Sequence, residues 1–192
     1  MKRITSLFFV FLVSAIALFA DEGMWQPYML NNQTIAEMQK LGCKLTPEQI
    51  FSLNQPSIKD AIVQFGGGCT GEIISDQGLL LTNHHCGIGY VQSHSSVDHD
   101  YLTVGFWVYN KNEELPNDGL KVYFLNNVYD VTKDILKGVT DDLDEIERAE
   151  KINANKSSII EEAKGDRNVT IEIVPFYAGN QYILFEYNVY SD

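Results

Sequence analysis

"GGCTGEIISDQGLLLTNHHC", Gly67 to Cys86, is the stretch that decides the fold. It leaves Cys69, runs through two strand-length segments, "TGEII" and "LLLTN", reaches His84 and His85, and closes on Cys86. Ser75-Asp76-Gln77-Gly78 separates the two segments with residues that favour a tight turn between antiparallel strands. Upstream, "AIVQF" from Ala61 is a third strand candidate, joined to the second through Gly66-Gly67-Gly68. Gly66-Gly67-Gly68 lacks the lysine and helix of a phosphate loop, so it reads as a strand-connecting turn. Two histidines at the end of an apolar strand, backed by a cysteine, admit a catalytic, a metal-binding and a purely structural reading.

Downstream the period of two continues. "LKVYFLNNVYDV" from Leu120, "VTIEIVPFY" from Val169 and "YILFEYNVY" from Tyr182 are strand candidates, and Val169, Ile171 and Ile173 alternate with Thr170 and Glu172. One charged stretch, about 132–164, differs. It carries Ile135, Leu136, Val139, Leu143, Ile146, Ala149 and Ile152 near helical spacing and reads as a helical insertion in a β-domain. Ahead of the strands, "QTIAEMQKLG" places Ile35, Met38 and Leu41 on one helical face with Gly42 as a stop. "TPEQIFSLN" offers Thr46 as a cap and Pro47 in the first turn. The domain organisation expected is therefore a helical lead-in over 21–60 and a β-domain over 61–192. That β-domain breaks off directly after a strand candidate, at Tyr190-Ser191-Asp192, as an interrupted domain would.

The first twenty residues read as a secretory signal. Lys2 and Arg3 precede the apolar run Leu7 to Phe19, which is short for a membrane span of roughly 20 residues, and Ala20 offers a cleavage point. Removal leaves 192 − 20 = 172 residues and takes two positive charges from a net charge of −12, giving −14. So acidic a chain, without a basic patch, excludes a nucleic-acid partner. Export implies the periplasm or cell surface. There an oxidising medium bonds one pair among Cys43, Cys69 and Cys86 and leaves one thiol over. A bond from Cys86 to Cys69 would close 17 positions and clamp the residue beside it, with the two strands folding back across the turn at Asp76–Gly78.

A general-base histidine has to be held rigidly between a nucleophile and an orienting carboxylate. The order cysteine, glycine, strand, turn, apolar strand, threonine, histidine, cysteine resembles the first-barrel signature of chymotrypsin-like serine peptidases. More narrowly, "DEGMW" at Asp21, "FGGGCTGEIIS" at Phe65, "GLLLTNHHC" at Gly78 and "HDYLTVGFW" at His99 resemble the bacterial dipeptidyl-peptidase 7 and 11 family. These are exported serine aminopeptidases that release dipeptides from free N-termini. Val104 stands where the resemblance implies a polar residue.

The resemblance implies a mainly β fold, an incomplete chymotrypsin-like (trypsin-like) β-barrel with N-terminal helices and a helical insertion. It implies that His85 is the catalytic base, that Cys69 bonds to Cys86, and that Cys43 is the free thiol. Neither a metal nor an organic cofactor is needed. Peptides are the substrates, no membrane span remains in the mature chain, and a homodimer of the full-length enzyme is an open partner. The triad aspartate and serine fall beyond residue 192, so this chain is expected to be inactive alone.

Other readings stand beside this one. Asp130 follows His85 at the spacing of the orienting aspartate in simple chymotrypsin-like enzymes, and Ser93, Ser95 and Ser96 read as loop residues. Zinc held by His84, His85, Cys86, His94 and His99 is the metal alternative, although neighbouring strand residues face opposite ways. His84 by itself reads as a polar residue satisfied by backbone groups. Ten Tyr and ten Phe would suit a peptide- or glycan-binding β-domain, but their alternation within strands reads as core. An inactive truncated remnant is the last alternative.

Overall fold

The computed structural model describes residues 25–30 and 32–191; the signal read at 1–20 lies outside the described residues. The chain divides into two compact units between Pro47 and Glu48. In the first, α1 (Asn32–Lys40) buries Ile35 and stops before Gly42, whose φ of +101° favours glycine. Leu41, expected on the same face as Ile35, lies past the helix end and is exposed. The short α2 (Pro47–Ile50) opens with Pro at its first position.

The second unit is built on one antiparallel sheet. In chain order it contains β1 (Ile62–Phe65), β2 (Cys69–Ile73), β3 (Leu80–Thr82), α3 (His84–His94) and α4 (Tyr101–Val104). Then come β4 (Lys121–Asp130), α5 (Thr132–Ile135), α6 (Glu145–Lys164), β5 (Val169–Phe176) and β6 (Gln181–Ser191). The strand order is β3-β2-β1-β4-β6-β5. Every neighbouring pair is antiparallel, and β3 and β5 form the two edges of an open sheet. These six strands by themselves therefore do not close a barrel.

Two turns set the register of the first three strands. Gly66-Gly67-Gly68 closes the β1–β2 hairpin above the Phe65–Cys69 pair, with positive φ at Gly66 and Gly68. Between β2 and β3, the Ser75 hydroxyl accepts from the Gln77 and Leu79 amides, and Gly78 takes a φ of +84°.

The helical insertion packs partly buried side chains against a core drawn mainly from the strands. Helix α6 starts in a capping box: Asp144 accepts from the Ile146 and Glu147 amides at 2.8 Å each, and Glu147 accepts from the Asp144 amide. It ends at Gly165, with Lys164 in the last turn where the helix dipole favours a cation. From its middle onward it lays Ile152, Ile159, Ile160 and Ala163 against Val131, Ile135, Ile173, Tyr182 and Leu184. Ile135 is fully buried, which contributes about 1.5–3 kcal/mol. The sequence stripe is thus only half right. Ile146 is exposed, and the partly buried face that packs on the core runs from Ile152 to Ala163. Asn155 caps the end of α5, donating to the Ile135 and Lys137 carbonyls at 2.7 and 2.9 Å.

A bulge bends β4 where its pairing with β6 skips from Leu125 to Asn127. It is held from two directions. Lys59 donates to the Leu125 carbonyl at 3.0 Å, and Asn126 and Asn127 both donate to Oε1 of buried Glu186, at 2.6 and 2.9 Å. Burial pushes the Glu186 carboxyl up, but Arg167 and then the two asparagine amides outweigh it and hold the group below its ordinary value.

Candidate active site

The site forms where the short edge strand β3 ends. Its ladder with β2 stops at the Gly71–Thr82 pair, Asn83 leaves the sheet, and α3 begins at His84. His84 and His85 are therefore the first residues of a helix rather than the end of a strand. Nothing in "HHCGIGYVQSH" announces that helix, since Gly87 and Gly89 interrupt it and no apolar stripe repeats. The available signal was Asn83, a residue type favoured just before a first helical turn; its carbonyl accepts from the Cys86 and Gly87 amides.

Cys86 bonds to Cys69, the first residue of β2, with Cα atoms 6.1 Å apart, and Cys43 is the free cysteine. The His85 imidazole lies beside this disulfide, a ring nitrogen and both sulfurs falling within 4.8 Å of one another. His85 is exposed, so its ring is open to a reactant. Three residues before it in the chain, Thr82 Oγ1 donates to the Thr70 carbonyl at 2.7 Å.

The metal reading of the sequence is not assembled. Among the described residues, the cluster of ligand-type side chains is Cys69, His85 and Cys86, and its two sulfurs are already bonded to each other. A disulfide sulfur is no thiolate ligand. His94 Nε2 instead lies 3.3 Å from Asn117 Oδ1, and the His99 ring stacks on Tyr101 at 5.8 Å. His84 is exposed and makes no side-chain hydrogen bond among the described residues, so backbone groups do not satisfy it as expected.

Asp130 is also out of place for an orienting carboxylate. It ends β4, eight residues beyond Val122, which pairs with Phe65 in the row that carries Cys69. At ~3.3 Å per residue that is about 25 Å of strand. Asp130 instead accepts from the Thr132 amide and the Gln181 side chain, and these bonds, Thr132 first, hold its carboxyl below the ordinary range. Ser93 and Ser95, expected in a loop, sit in the last turn of α3 and at its cap, where their hydroxyls donate to the Tyr90 and Val91 carbonyls. Ser96 follows in a turn, accepting from the His99 amide.

A cavity of about 290 Å³ is lined by Tyr90, His94, Tyr101, Phe106, Glu114 and Asn117 among others. It is not the pocket of His85. Nine residues at about 100° each put His94 about 180° around α3 from His85.

The sequence that carries this edge strand, disulfide and exposed imidazole has known relatives. The family model described as Peptidase S46 matches residues 20–192. The chain belongs to the peptidase S46 family. It is 46% identical over 177 residues to the Asp/Glu-specific dipeptidyl-peptidase of Capnocytophaga gingivalis, covering 92% of this chain and 25% of that protein. With the dipeptidyl-peptidase 7 of Porphyromonas endodontalis it shares 48% over 173 residues, covering 90% of this chain and 21% of the relative. The crystal structure of Porphyromonas endodontalis DPP11 superposes with a TM-score of 0.77 at 39% identity, over 90% of this chain and 25% of that one. The same protein in complex with the dipeptide Arg-Glu gives 0.76 at 38%, over 88% and 26%. This S46 chain thus spans about a quarter of the length of the relatives it matches. Within it, "FGGGCTGEIIS" covers the β1–β2 hairpin and β2, and "GLLLTNHHC" covers β3 and the start of α3.

Proposed function

We propose that this chain is the N-terminal part of an exported serine-type dipeptidyl-peptidase that releases dipeptides from the free N-terminus of peptides. His85 is its general base. The observation that carries the reading is an exposed imidazole in the first turn of a helix, on a backbone tied by the neighbouring disulfide. Rigid placement with one open face is what proton transfer to and from a hydroxyl demands.

In the complete enzyme His85 takes the proton of a serine hydroxyl as the oxygen attacks the scissile carbonyl. It then gives that proton to the departing amine, while an aspartate on its other nitrogen holds the tautomer. The serine and aspartate come from residues beyond Asp192, in keeping with a match to only a quarter of the relatives' length. The open sheet is the larger part of a chymotrypsin-like barrel completed by later strands, with the β4 bulge supplying curvature. Exposed Trp107, Tyr109 and Val104 belong to a surface covered by that later polypeptide. The disulfide supports an oxidising compartment, the periplasm or cell surface. Among the described residues no helix is long and apolar enough to cross a membrane.

The test is dipeptide release by the full-length gene product before and after His85→Ala. Loss of about 10³-fold or more in kcat is expected, with peptide binding retained. Undiminished release by His85→Ala refutes the assignment.

A further inference from the structure

We infer that Thr82 is a positioning residue for the His85 imidazole, acting through its hydroxyl; the inference rests on the general-base reading above. Five residues, Thr82 to Cys86, carry the chain from β3 into α3, and His85 is the fourth of them. Both ends of this segment are tied to consecutive residues of β2. At the far end Cys86 is bonded to Cys69. At the near end Thr82 Oγ1 donates to the Thr70 carbonyl at 2.7 Å.

The ladder holds Thr82 against Gly71, and the disulfide holds Cys86 against Cys69. A side-chain bond to Thr70, between those two attachments on the same strand, restricts rotation of the segment about them. The backbone ladder does not supply such a restraint beyond this point, because the β2–β3 pairing ends at Gly71–Thr82 and β3 is an edge strand of three residues. Among the described residues β3 pairs with β2 alone, so the end of β3 is held from one side. The Thr82 hydroxyl therefore continues the attachment just where the ladder stops, three residues before the imidazole. Because the bond is solvent-exposed, it contributes little to global stability. Its value lies in geometry, and a displacement of about 1 Å in a reacting group can lower a rate about 100-fold.

Thr82→Val removes the hydroxyl at nearly constant shape, and Thr82→Ser restores it. In the full-length gene product, Thr82→Val is expected to lower kcat about tenfold with KM changed less than about twofold. Thr82→Ser is expected to recover most of that loss, with thermal melting points of all three proteins alike. In the same full-length protein, the His85 ring NMR signals of Thr82→Val should broaden by exchange while those of His94 and His99 stay sharp. Unchanged kcat, a loss that serine does not rescue, or unaltered His85 signals overturns the role of Thr82 and leaves the general-base reading intact. Full activity in the parallel His85→Ala protein overturns that reading, and the positioning role falls with it.

Discussion

Arg167 Nη2 lies 2.7 Å from Glu186 Oε2, with one partner half exposed and the other almost wholly buried. The pair is asymmetric in what it does. Arg167 follows α6 and keeps much of its hydration, whereas Glu186 sits inside the sheet with its other oxygen committed to Asn126 and Asn127. The carboxylate thus joins the helical insertion to the β4 bulge.

Stability should depend on pH through this group. Its folded pKa is depressed, so its contribution is fully present above the ordinary glutamate range and is lost as pH falls through the lowered value. Glu186→Gln keeps an acceptor for the asparagines but loses the charge, and should cost about 1–2 kcal/mol at pH 7. Since glutamine does not titrate, the gap between the two proteins should narrow in acid. Glu186→Ala, which strands both amides, should cost about 3 kcal/mol. Urea denaturation from pH 7 down to pH 3 measures both; a gap that widens in acid would contradict the assignment.

The Cys69–Cys86 bond closes 17 positions, for which loop entropy gives about 3 kcal/mol. Replacing both cysteines by alanine should lower stability by about that amount. A reductant should destabilise the natural protein to a similar degree and leave the double variant unchanged. Equal denaturation midpoints with and without reductant would show that the bridge carries no stability.

Much of this fold was written in local pattern. Alternation in "VTIEIV" and the turn residues at Ser75–Gly78 and Gly66–Gly68 place strands and hairpins within a residue or two, because period and turn chemistry are local properties. Helix α6 ends at Lys164, where Gly165 takes a positive φ. What escaped depends on distant partners. Helix α3 has no apolar stripe and two glycines, so only its anchorage through Cys86 and its packing, Tyr90 on Phe65, reveal it. Ile159, Ile160 and Ala163 face the core because the sheet lies beneath the C-terminal half of α6, and a helical period cannot say which half is covered. At the site, the Cys69–Cys86 bond implied by the family resemblance is present, whereas the helix that opens at His84 was not foreseen. Nor was the Thr82–Thr70 bond, since it joins residues 12 apart through one hydroxyl.

Gly71 is the position at which the sheet leaves least room. Its φ lies outside the left-handed range, so the backbone itself does not demand glycine. The demand comes from β3. A Cβ there would stand 3.0 Å from Leu80 Cδ2 and 3.2 Å from the Leu81 carbonyl oxygen. The leucine side chain can turn away, but the carbonyl belongs to the paired strand and moves only with it. Gly71→Ala should therefore push β3 outward at an expense of about 1–3 kcal/mol. It should also drag Thr82 and His85 with it, so dipeptide release by the full-length gene product should fall further than the loss of folded protein explains. Gly67→Ala is the matched control, since a Cβ at Gly67 meets nothing within 4 Å, and both stability and activity should hold. Equal behaviour of the two alanine variants, in denaturation and in turnover, would mean that β3 yields freely and does not fix the imidazole.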